Sequence, residues 1–510
     1  MKLRKILQGS GSNLIRVFLS ALVGIALPPF LVRHLSAPEY SAWVLILQLS
    51  AYVSLLDLGI QTAISKFIAE YDSAGNGLGC SRVLSTSFRI LSFAALAGMG
   101  QIAVLTWQVP RLFHQMPVAL IRDVRGALLL IGVSVAVSLP FNAFLAVFIG
   151  LQRYGFPTIL LTISKVLSSA TLVALLLMRP TLLQLASVIA AFNIGTAIAQ
   201  FVGWRRFGKD KVDFSWAAYE PAFAIRIMKY CGVLTIWSLS SLLISGLDTV
   251  IVGHYDFRNT GYYAIASSVT NFLMVAVASA FGPLIPAISS LQSVGSSQQI
   301  GDVAVNTTRY NALILYLCGL PVLFGSYALL SLWVGKDYAS QSATYLVVLL
   351  VGNIVRQLGY PYALAVVATG SQHLATIAAV AEAVVNLALS IWLIQRIGAL
   401  GVAIGTVAGA VVSIALHIGV SMHFTRSAIS IHRAEFLKQG LLRPLVCILP
   451  SLILLPFWRR YASMPAPLPA LLAWIVTTVA LAWLLGLKQS ERHRMWSGLT
   501  RLSSWSKART

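Results

Sequence analysis

Charged residues are scarce in this chain of 510 residues. Asp, Glu, Lys and Arg make up 10% of it, against roughly 25% in a typical soluble domain. Apolar residues make up 58%, and a single soluble core cannot hide that much apolar surface. The composition excludes a soluble enzyme and a disordered chain, and it predicts an all-α polytopic membrane protein.

Cysteines are also few. The four of them form no CxxC pair, and none falls in a segment that we place outside the cytoplasm; they are Cys80, Cys231, Cys318 and Cys447. A secreted disulfide scaffold and a cysteine-based zinc site are therefore excluded. The eight histidines are scattered without a paired spacing, so we expect no metal site and no cofactor.

The motifs of ATP-driven and catalytic proteins are missing. No GxxxxGK[ST] phosphate loop occurs, because Gly208-Lys209 and Gly335-Lys336 are both followed by Asp. We predict no catalytic residues and no enzyme activity. A polymerase or ligase acting on lipid-linked sugars is the alternative from another class, but it would need a sizeable polar outer loop, and the predicted outer loops are short.

Long apolar runs occupy most of the chain. A spanning helix needs about 20 apolar residues, because each rises about 1.5 Å through a hydrocarbon core of about 30 Å. This length predicts about fourteen spans, at 13–32, 41–62, 84–107, 126–149, 157–178, 183–204, 230–253, 261–284, 310–334, 342–366, 374–395, 400–422, 444–458 and 468–487.

The surplus of basic residues predicts the orientation of these spans. The chain has 37 Lys and Arg against 15 Asp and Glu, a formal charge of +22. With the N-terminus inside, about 23 basic residues fall in inner segments and about 10 in outer segments. We therefore predict two cytoplasmic termini, and we expect the basic charge to face anionic membrane lipids rather than nucleic acid.

One polar stretch divides the first twelve spans into two sets of six. The stretch predicts a first lobe at 1–204, a cytoplasmic linker at 205–229 and a second lobe at 230–422. Two final spans and a basic cytoplasmic tail follow at 423–510. A weak repeat supports this division, since FLVRHLSAPEYSAWVL at 30–45 resembles VIVGHYDFRNTGYYAI at 250–265. Both copies lie on the same side of the membrane, so the repeat is parallel.

Seven charged residues fall inside predicted spans, namely Arg16, Asp57, Arg89, Lys165, Asp248, Arg356 and Glu382. A charge at the bilayer centre costs about 2.5–3.5 kcal/mol, so each needs a partner or a water-filled cavity. The depth of Lys165, Arg356 and Glu382 fits either a functional cavity or a structural ion pair. Arg16 and Arg89 are close enough to the inner face to snorkel.

The two remaining aspartates are open to two interpretations. Asp57 lies some two-thirds of the way through the second span, where it could cap an inward turn or face a cavity. Asp248 lies about five residues from the outer end of the seventh span. Both are titratable carboxylates in an apolar setting, which ion coupling requires.

Three stretches resemble a known family. LVRHLSAPEYSAWVLILQLSAYVSLLDLGIQTAISKFIAEY at 31–71 resembles the first two spans of bacterial polysaccharide-transport proteins, the Wzx-like flippases of the MOP exporter superfamily. IGLQRYGFPTILLTISKV at 149–166 is similar to the family's turn between spans four and five, and RIGALGVAIGTVAGAVVS at 396–413 to its twelfth span. These motifs are typical of the polysaccharide-transport branch of the superfamily, and they do not identify the sugar that is transported.

The resemblance implies a MATE-like fold, with two six-helix lobes around a central cavity and two C-terminal helices. It implies a flippase that moves a polyprenyl-pyrophosphate-linked oligosaccharide, such as an O-antigen unit, across a bacterial inner membrane by alternating access. It also implies coupling to a proton or sodium gradient or to the membrane potential, and contact with other polysaccharide-assembly proteins. A MATE-type drug or cation exporter and a lipid II flippase remain alternatives.

The charged residues then fall into two groups. Basic residues in the cavity would offset the charge of the pyrophosphate and glycan; the candidates are Lys165, Arg356, Arg16 and Arg89. Carboxylates would bind the coupling ion; the candidates are Glu382, Asp57 and Asp248.

Overall fold

The structure is a computed structural model that describes residues 24–446, 476–487, 489 and 491–492. Four predicted features lie wholly or partly outside these residues: the start of the first span with Arg16, most of the thirteenth span, the start of the fourteenth span, and most of the basic tail. The described residues are helical and contain no β-strand. This confirms the predicted all-α class.

Residues 24–34 and Val476–Gly486 are helical at the two ends of the described part of the chain, and sixteen further helices of eight residues or more lie between them. We label them α1 Ala37–Ser54, α2 Ile60–Ser73, α3 Gly77–Leu112, α4 Val118–Gly150, α5 Gly155–Leu176, α6 Leu182–Phe207, α7 Pro221–Ser241, α8 Asp248–Tyr255, α9 Thr260–Ser279, α10 Leu284–Ser293, α11 Ser297–Phe324, α12 Ser326–Trp333, α13 Lys336–Leu358, α14 Tyr360–Ala368, α15 Gln372–Ile397 and α16 Ala399–Leu416.

Many of these helices are suited to a bilayer. Within the described residues, nine helical segments are long and apolar enough to cross a membrane, or ten if α11 and α12, bent by 73°, form one span. The chain is therefore a multi-pass membrane protein. The count of fourteen spans stays a prediction, because several of the predicted spans extend beyond the described residues.

The predicted second span is interrupted at the sequence LLDLG. Leu55–Asp57 forms a 3-10 turn, and Leu58 (φ 51°) and Gly59 (φ 79°) both adopt the left-handed conformation. The carboxylate of Asp57 accepts hydrogen bonds from the backbone of Gly59 and Gln61 at the start of α2. Asp57 thus caps the helix that follows the break, which is one of the two roles that its position allows.

Contacts between Cα atoms divide the chain into two units. The first comprises the residues up to Phe272 together with Leu330–Leu349 and Ala379–Gly409. The second comprises Leu273–Leu329, Leu350–Ala378 and the residues from Ala410 onward. The division into a lobe at 1–204 and a lobe at 230–422 stays a prediction.

An aromatic cluster occupies the predicted inner side of the first unit. Its members are Phe88, Phe144, Trp204, Phe214 and Trp216. The Phe144 and Trp204 rings lie 4.8 Å apart, and those of Phe88 and Phe214 lie 5.1 Å apart. Because Phe214 and Trp216 belong to the predicted linker, this segment packs onto α3, α4 and α6.

The second unit has a core formed by α10, α11, α14 and the segment after α16. Ile288, Ala304, Ala365 and Phe436 are all fully or almost fully buried there. The Ser430 backbone N–H donates to the Ser297 carbonyl at 3.1 Å. The segment that follows the twelfth predicted span therefore packs against the start of α11.

Helices α15 and α16 approach each other closely at three glycines. Gly401, Gly405 and Gly409 are four residues apart, so they lie along one face of α16. A Cβ at Gly405 would lie 2.3 Å from Ser390 Oγ, and a Cβ at Gly409 would lie 2.9 Å from the Glu382 carbonyl oxygen. Small residues allow this approach, as is common in membrane helix pairs.

Substituting Gly405→Ala should destabilise the protein by about 1–3 kcal/mol, because the new methyl group has no room against α15. We expect a lower apparent melting temperature for the purified protein in detergent. The matched control is Gly100→Ala on α3, where a Cβ meets nothing within 4 Å. Equal melting temperatures for the two variants would contradict the close packing of α15 and α16.

Candidate ion and substrate sites

Asp248 lies at the centre of a buried polar network in the first unit. The residue begins α8, directly after a π-helical turn at Leu242–Gly246, and only 6% of it is exposed. Its Oδ2 accepts hydrogen bonds from the Tyr263 hydroxyl and the Thr406 hydroxyl, both at 3.2 Å. The carboxylate is thus enclosed by α8, α9 and α16.

Helix α15 carries three polar residues on the side that packs against α16. Glu382, Asn386 and Ser390 are four residues apart, and Glu382 is only 3% exposed. Asn386 Nδ2 donates to the Ile244 carbonyl at 2.6 Å, and the Ser390 hydroxyl donates to Asn386 Oδ1 at 3.0 Å. Two of the predicted coupling carboxylates thus lie next to α16, Asp248 through its contact with Thr406 and Glu382 where the α15 backbone meets Gly409.

Helix α1, from the predicted first lobe, reaches the same π-helical turn. Gln48 Nε2 donates to the Gly246 carbonyl at 2.9 Å, and the Tyr52 hydroxyl donates to the same oxygen at 2.5 Å. Sequence reasoning missed both residues, because a glutamine and a tyrosine within an apolar span look like ordinary helix-packing residues. Their contacts connect the two predicted lobes next to Asp248.

Loops that the sequence places outside are packed together in the first unit. His254 Nδ1 donates to the Leu112 carbonyl, and Gln115 Nε2 donates to the Tyr255 carbonyl at 2.9 Å. The Gly261 backbone N–H donates to Ser41 Oγ at 3.0 Å.

Three tyrosines join the same contact surface. The rings of Tyr40 and Tyr338 lie 6.0 Å apart, and those of Tyr262 and Tyr338 lie 5.1 Å apart. Tyr40 precedes the second predicted span, whereas the other two belong to the second predicted lobe. The predicted outer ends of the two lobes are therefore closed against each other in this structure.

Arg89, a predicted cavity residue, is engaged by the linker. Its guanidinium donates to the Trp216 carbonyl and lies 5.4 Å from the Trp216 ring and 4.7 Å from the Tyr219 ring. Two ion pairs hold the same segment: Arg82 with Glu220 at 3.3 Å, and Arg226 with Glu70 at 3.2 Å. The contacts of Arg89 thus fix the linker to α3.

The other two predicted cavity cations that the structure describes lie in different units. Lys165, in the first unit, is exposed on α5 beside exposed Ile163 and Val166. Arg356, in the second unit, is partly buried near the end of α13 and donates to Asn353 Oδ1 at 2.7 Å. Their joint participation in one substrate cavity stays a prediction.

The donor set near Asp248 is made of oxygen atoms. Around its carboxylate lie the hydroxyls of Tyr263 and Thr406, and the neighbouring face of α15 carries the Ser390 hydroxyl and the Asn386 amide. Oxygen ligands suit hard cations. The described residues contain no group of three or more His, Cys, Asp and Glu that could hold a metal ion.

Comparison with curated proteins finds distant relatives among glycan transporters. The chain is 21% identical over 416 residues to a Shigella flexneri protein named as an O-antigen transporter, covering 78% of this chain and 93% of that protein. It is 25% identical over 242 residues to a Haloferax volcanii protein named as the low-salt glycan biosynthesis flippase Agl15, covering 47% and 50%. No family model matches the sequence.

Solved structures share the fold. An inward closed conformation of the lipid II flippase MurJ has a TM-score of 0.67 and 14% identity, covering 94% of this chain and 98% of that one. An inward-facing multidrug resistance MATE transporter of the MOP superfamily has a TM-score of 0.63 and 13% identity, covering 81% and 94%. The predicted resemblance to the MOP superfamily is confirmed, and the fold is MATE-like.

Substituting Arg89→Ala should loosen the linker, because it removes a hydrogen bond and two cation–π contacts. A loss of about 1 kcal/mol corresponds to about fivefold more frequent opening. We expect chymotrypsin to cleave within 205–229 correspondingly faster in the purified protein. The control is Arg205→Ala, which removes an exposed arginine from the same region. Equal cleavage rates would show that Arg89 does not hold the linker.

Proposed function

We propose that this protein is a flippase that moves a polyprenyl-pyrophosphate-linked oligosaccharide, a repeat unit of surface polysaccharide, across the bacterial inner membrane. The supporting observation is the similarity over 78% of the chain to a protein named as an O-antigen transporter. The MATE-like fold supports the same class, since its solved examples include a lipid flippase and a drug transporter.

Transport proceeds by alternating access in this proposal. The predicted outer ends of the two lobes contact each other through pairs such as Ser41 with Gly261 and Gln115 with Tyr255. A substrate loaded from the cytoplasm reaches the outer leaflet only after these contacts separate. In this proposal, these contacts keep the outer side closed.

We place ion coupling at Asp248 and Glu382. Both carboxylates are more than nine-tenths buried in the cluster that α15 and α16 form, and Asp248 is next to the turn that Gln48 and Tyr52 of α1 contact. Binding a proton or a sodium ion there changes the charge beside a junction between the predicted lobes. Asp57 is the weaker candidate, because it caps α2.

We place recognition of the anionic headgroup at Lys165 and Arg356. A pyrophosphate needs cationic compensation when it leaves water, and each of these residues lies well inside a predicted span. Arg89 is a weaker candidate because the linker engages its guanidinium. Arg16 remains a predicted contributor.

Lipid II flippase is the second candidate, favoured by the MurJ-like fold over 94% of the chain. Lipid II is also a lipid-linked saccharide, so the same cations would serve it. Complementation separates the two: the chain should restore surface glycan in a strain lacking its own O-antigen flippase. Rescue of a strain depleted of its lipid II flippase, without glycan rescue, would favour the second candidate.

Asp248→Asn keeps the shape of the side chain but removes its charge, so it should uncouple transport. A coupling free energy of 1–3 kcal/mol corresponds to a loss of export of about 5–150-fold. We expect this loss at normal protein abundance, with a similar effect of Glu382→Gln. The control is Asp302→Asn, at an exposed position. Export with the ion-gradient dependence of the wild type in both test variants would place coupling elsewhere.

Lys165→Ala and Arg356→Ala should each reduce export of an anionic lipid-linked glycan without lowering protein abundance, since each removes a cation that faces the substrate. Surface glycan and membrane protein level are measured together, and Lys209→Ala at an exposed site is the control. If either residue is instead part of a structural ion pair, its removal leaves a buried carboxylate without a counter-ion and destabilises the protein by about 3–5 kcal/mol. Low protein abundance with normal export per molecule would then contradict the substrate role.

A further inference from the structure

Arg309 on α11 is a completely buried arginine in the second unit. The sequence places it at the inner edge of the ninth span, one residue before the predicted boundary. One of its terminal nitrogens, Nη2, forms an ion pair with Glu491 Oε1, and the Tyr310 hydroxyl donates to the same oxygen at 2.7 Å. A carboxylate from the end of the described chain is thus inserted against α11.

Arg309 has more hydrogen-bond donors than its contact with Glu491 uses. Its Nε and Nη1 are buried and have no hydrogen-bond partner among the described residues. The same holds for Nε of Arg492 and the hydroxyl of Thr308, which are the chain neighbours of Glu491 and Arg309. Buried polar groups are nearly always paired in proteins, so the two unpaired nitrogens of this guanidinium indicate a site that suits a further acceptor.

The residues around this ion pair are more basic than acidic. Arg492 follows Glu491 in the chain, and the Nε of Arg443 donates to the Leu485 carbonyl at 3.2 Å, six residues before Glu491. This surplus of positive charge favours a ligand at Arg309 with more negative charge and more acceptor oxygens than a single carboxylate.

We propose that the Arg309 cluster is a binding site for a phosphoryl group, with Glu491 as an internal carboxylate that the phosphoryl group displaces. A phosphate presents several acceptor oxygens and can bind a guanidinium through two parallel hydrogen bonds. Both forks of the Arg309 guanidinium, Nε with Nη2 and Nη1 with Nη2, include the nitrogen that Glu491 holds, so displacement of Glu491 opens a bidentate site. The proposal goes beyond the transport reaction and does not depend on it.

Glu491 controls access to this site. Its side chain is 13% exposed, whereas that of Arg309 is fully buried. A ligand can therefore reach the guanidinium only when it displaces the Glu491 carboxylate. Removing the charge of Glu491 should weaken this internal competitor and strengthen phosphoryl binding. The shared chemistry fits either a soluble phosphate or a phosphomonoester lipid headgroup.

The test measures binding of radiolabelled inorganic pyrophosphate to the purified full-length protein in neutral phosphatidylcholine nanodiscs. We expect Glu491→Gln to bind about tenfold more tightly than the wild type, as removal of one charged hydrogen-bonding competitor implies. The matched control is Glu435→Gln, which removes the same charge at an exposed position. It should bind like the wild type.

A second variant tests whether Arg309 binds the pyrophosphate. Arg309→Gln combined with Glu491→Gln removes both partners, so no charge is stranded, and it should lose the tighter binding while keeping a normal gel-filtration profile. If this double variant does not fold, Tyr310→Phe combined with Glu491→Gln tests the same receptor through the loss of one donor, and it should bind more weakly than Glu491→Gln alone.

Adding phosphatidic acid to the nanodiscs separates the two sources of the ligand. Competition with pyrophosphate identifies a lipid headgroup, whereas unchanged pyrophosphate binding identifies a soluble anion; both outcomes support the site. Two results would overturn it. Either Glu491→Gln binds pyrophosphate no more tightly than Glu435→Gln, or the removal of Arg309 leaves the tighter binding intact.

Discussion

The charge of a carboxylate buried among membrane helices must be offset by hydrogen-bond donors or a cation. In the first unit, the arrangement of helices around Asp248 depends on how its charge is offset. The Tyr263 and Thr406 hydroxyls contact it directly. Thr406 directly follows Gly405, one of the glycines at which α16 packs closely against α15. The hydroxyl that contacts Asp248 is therefore carried by the same turn of α16 that forms the close helix packing.

The same region joins the two predicted lobes. Gln48 and Tyr52 both donate to the carbonyl of Gly246, which ends the π-helical turn two residues before Asp248. A π-helical turn leaves backbone groups available for such contacts. In the proposed mechanism, an ion at Asp248 would bind close to contacts between the predicted lobes, as coupling between a gradient and alternating access requires.

Much of the fold follows from the sequence, because apolar length and helix-breaking residues are local signals. The runs at 126–149 and 183–204 correspond to α4 and α6, and LLDLG marks the break before α2. The partners of buried charges are distant in sequence, so local patterns do not predict them. Thr406 is 158 residues from Asp248, and a threonine in an apolar helix resembles many others.

The position of Arg309 differs from the sequence prediction for the same reason. The sequence indicates the edge of a loop, but α11 begins at Ser297, so Arg309 lies in the fourth turn of this helix, just before its midpoint. Likewise, the role of Arg89 depends on aromatic residues 127 positions away in the linker. Contacts at such separations arise from tertiary packing and cannot be read from periodicity.

The most direct test of alternating access joins the predicted outer ends of the two lobes by a disulfide. Gly261 approaches Ser41 so closely that a Cβ on it would lie 3.0 Å from Ser41 Oγ, a separation that suits a disulfide. In a Ser41→Cys/Gly261→Cys variant, oxidation should stop glycan export and reduction should restore it, whereas each single variant should export in both conditions. Normal export by a fully cross-linked protein would contradict alternating access through the outer side.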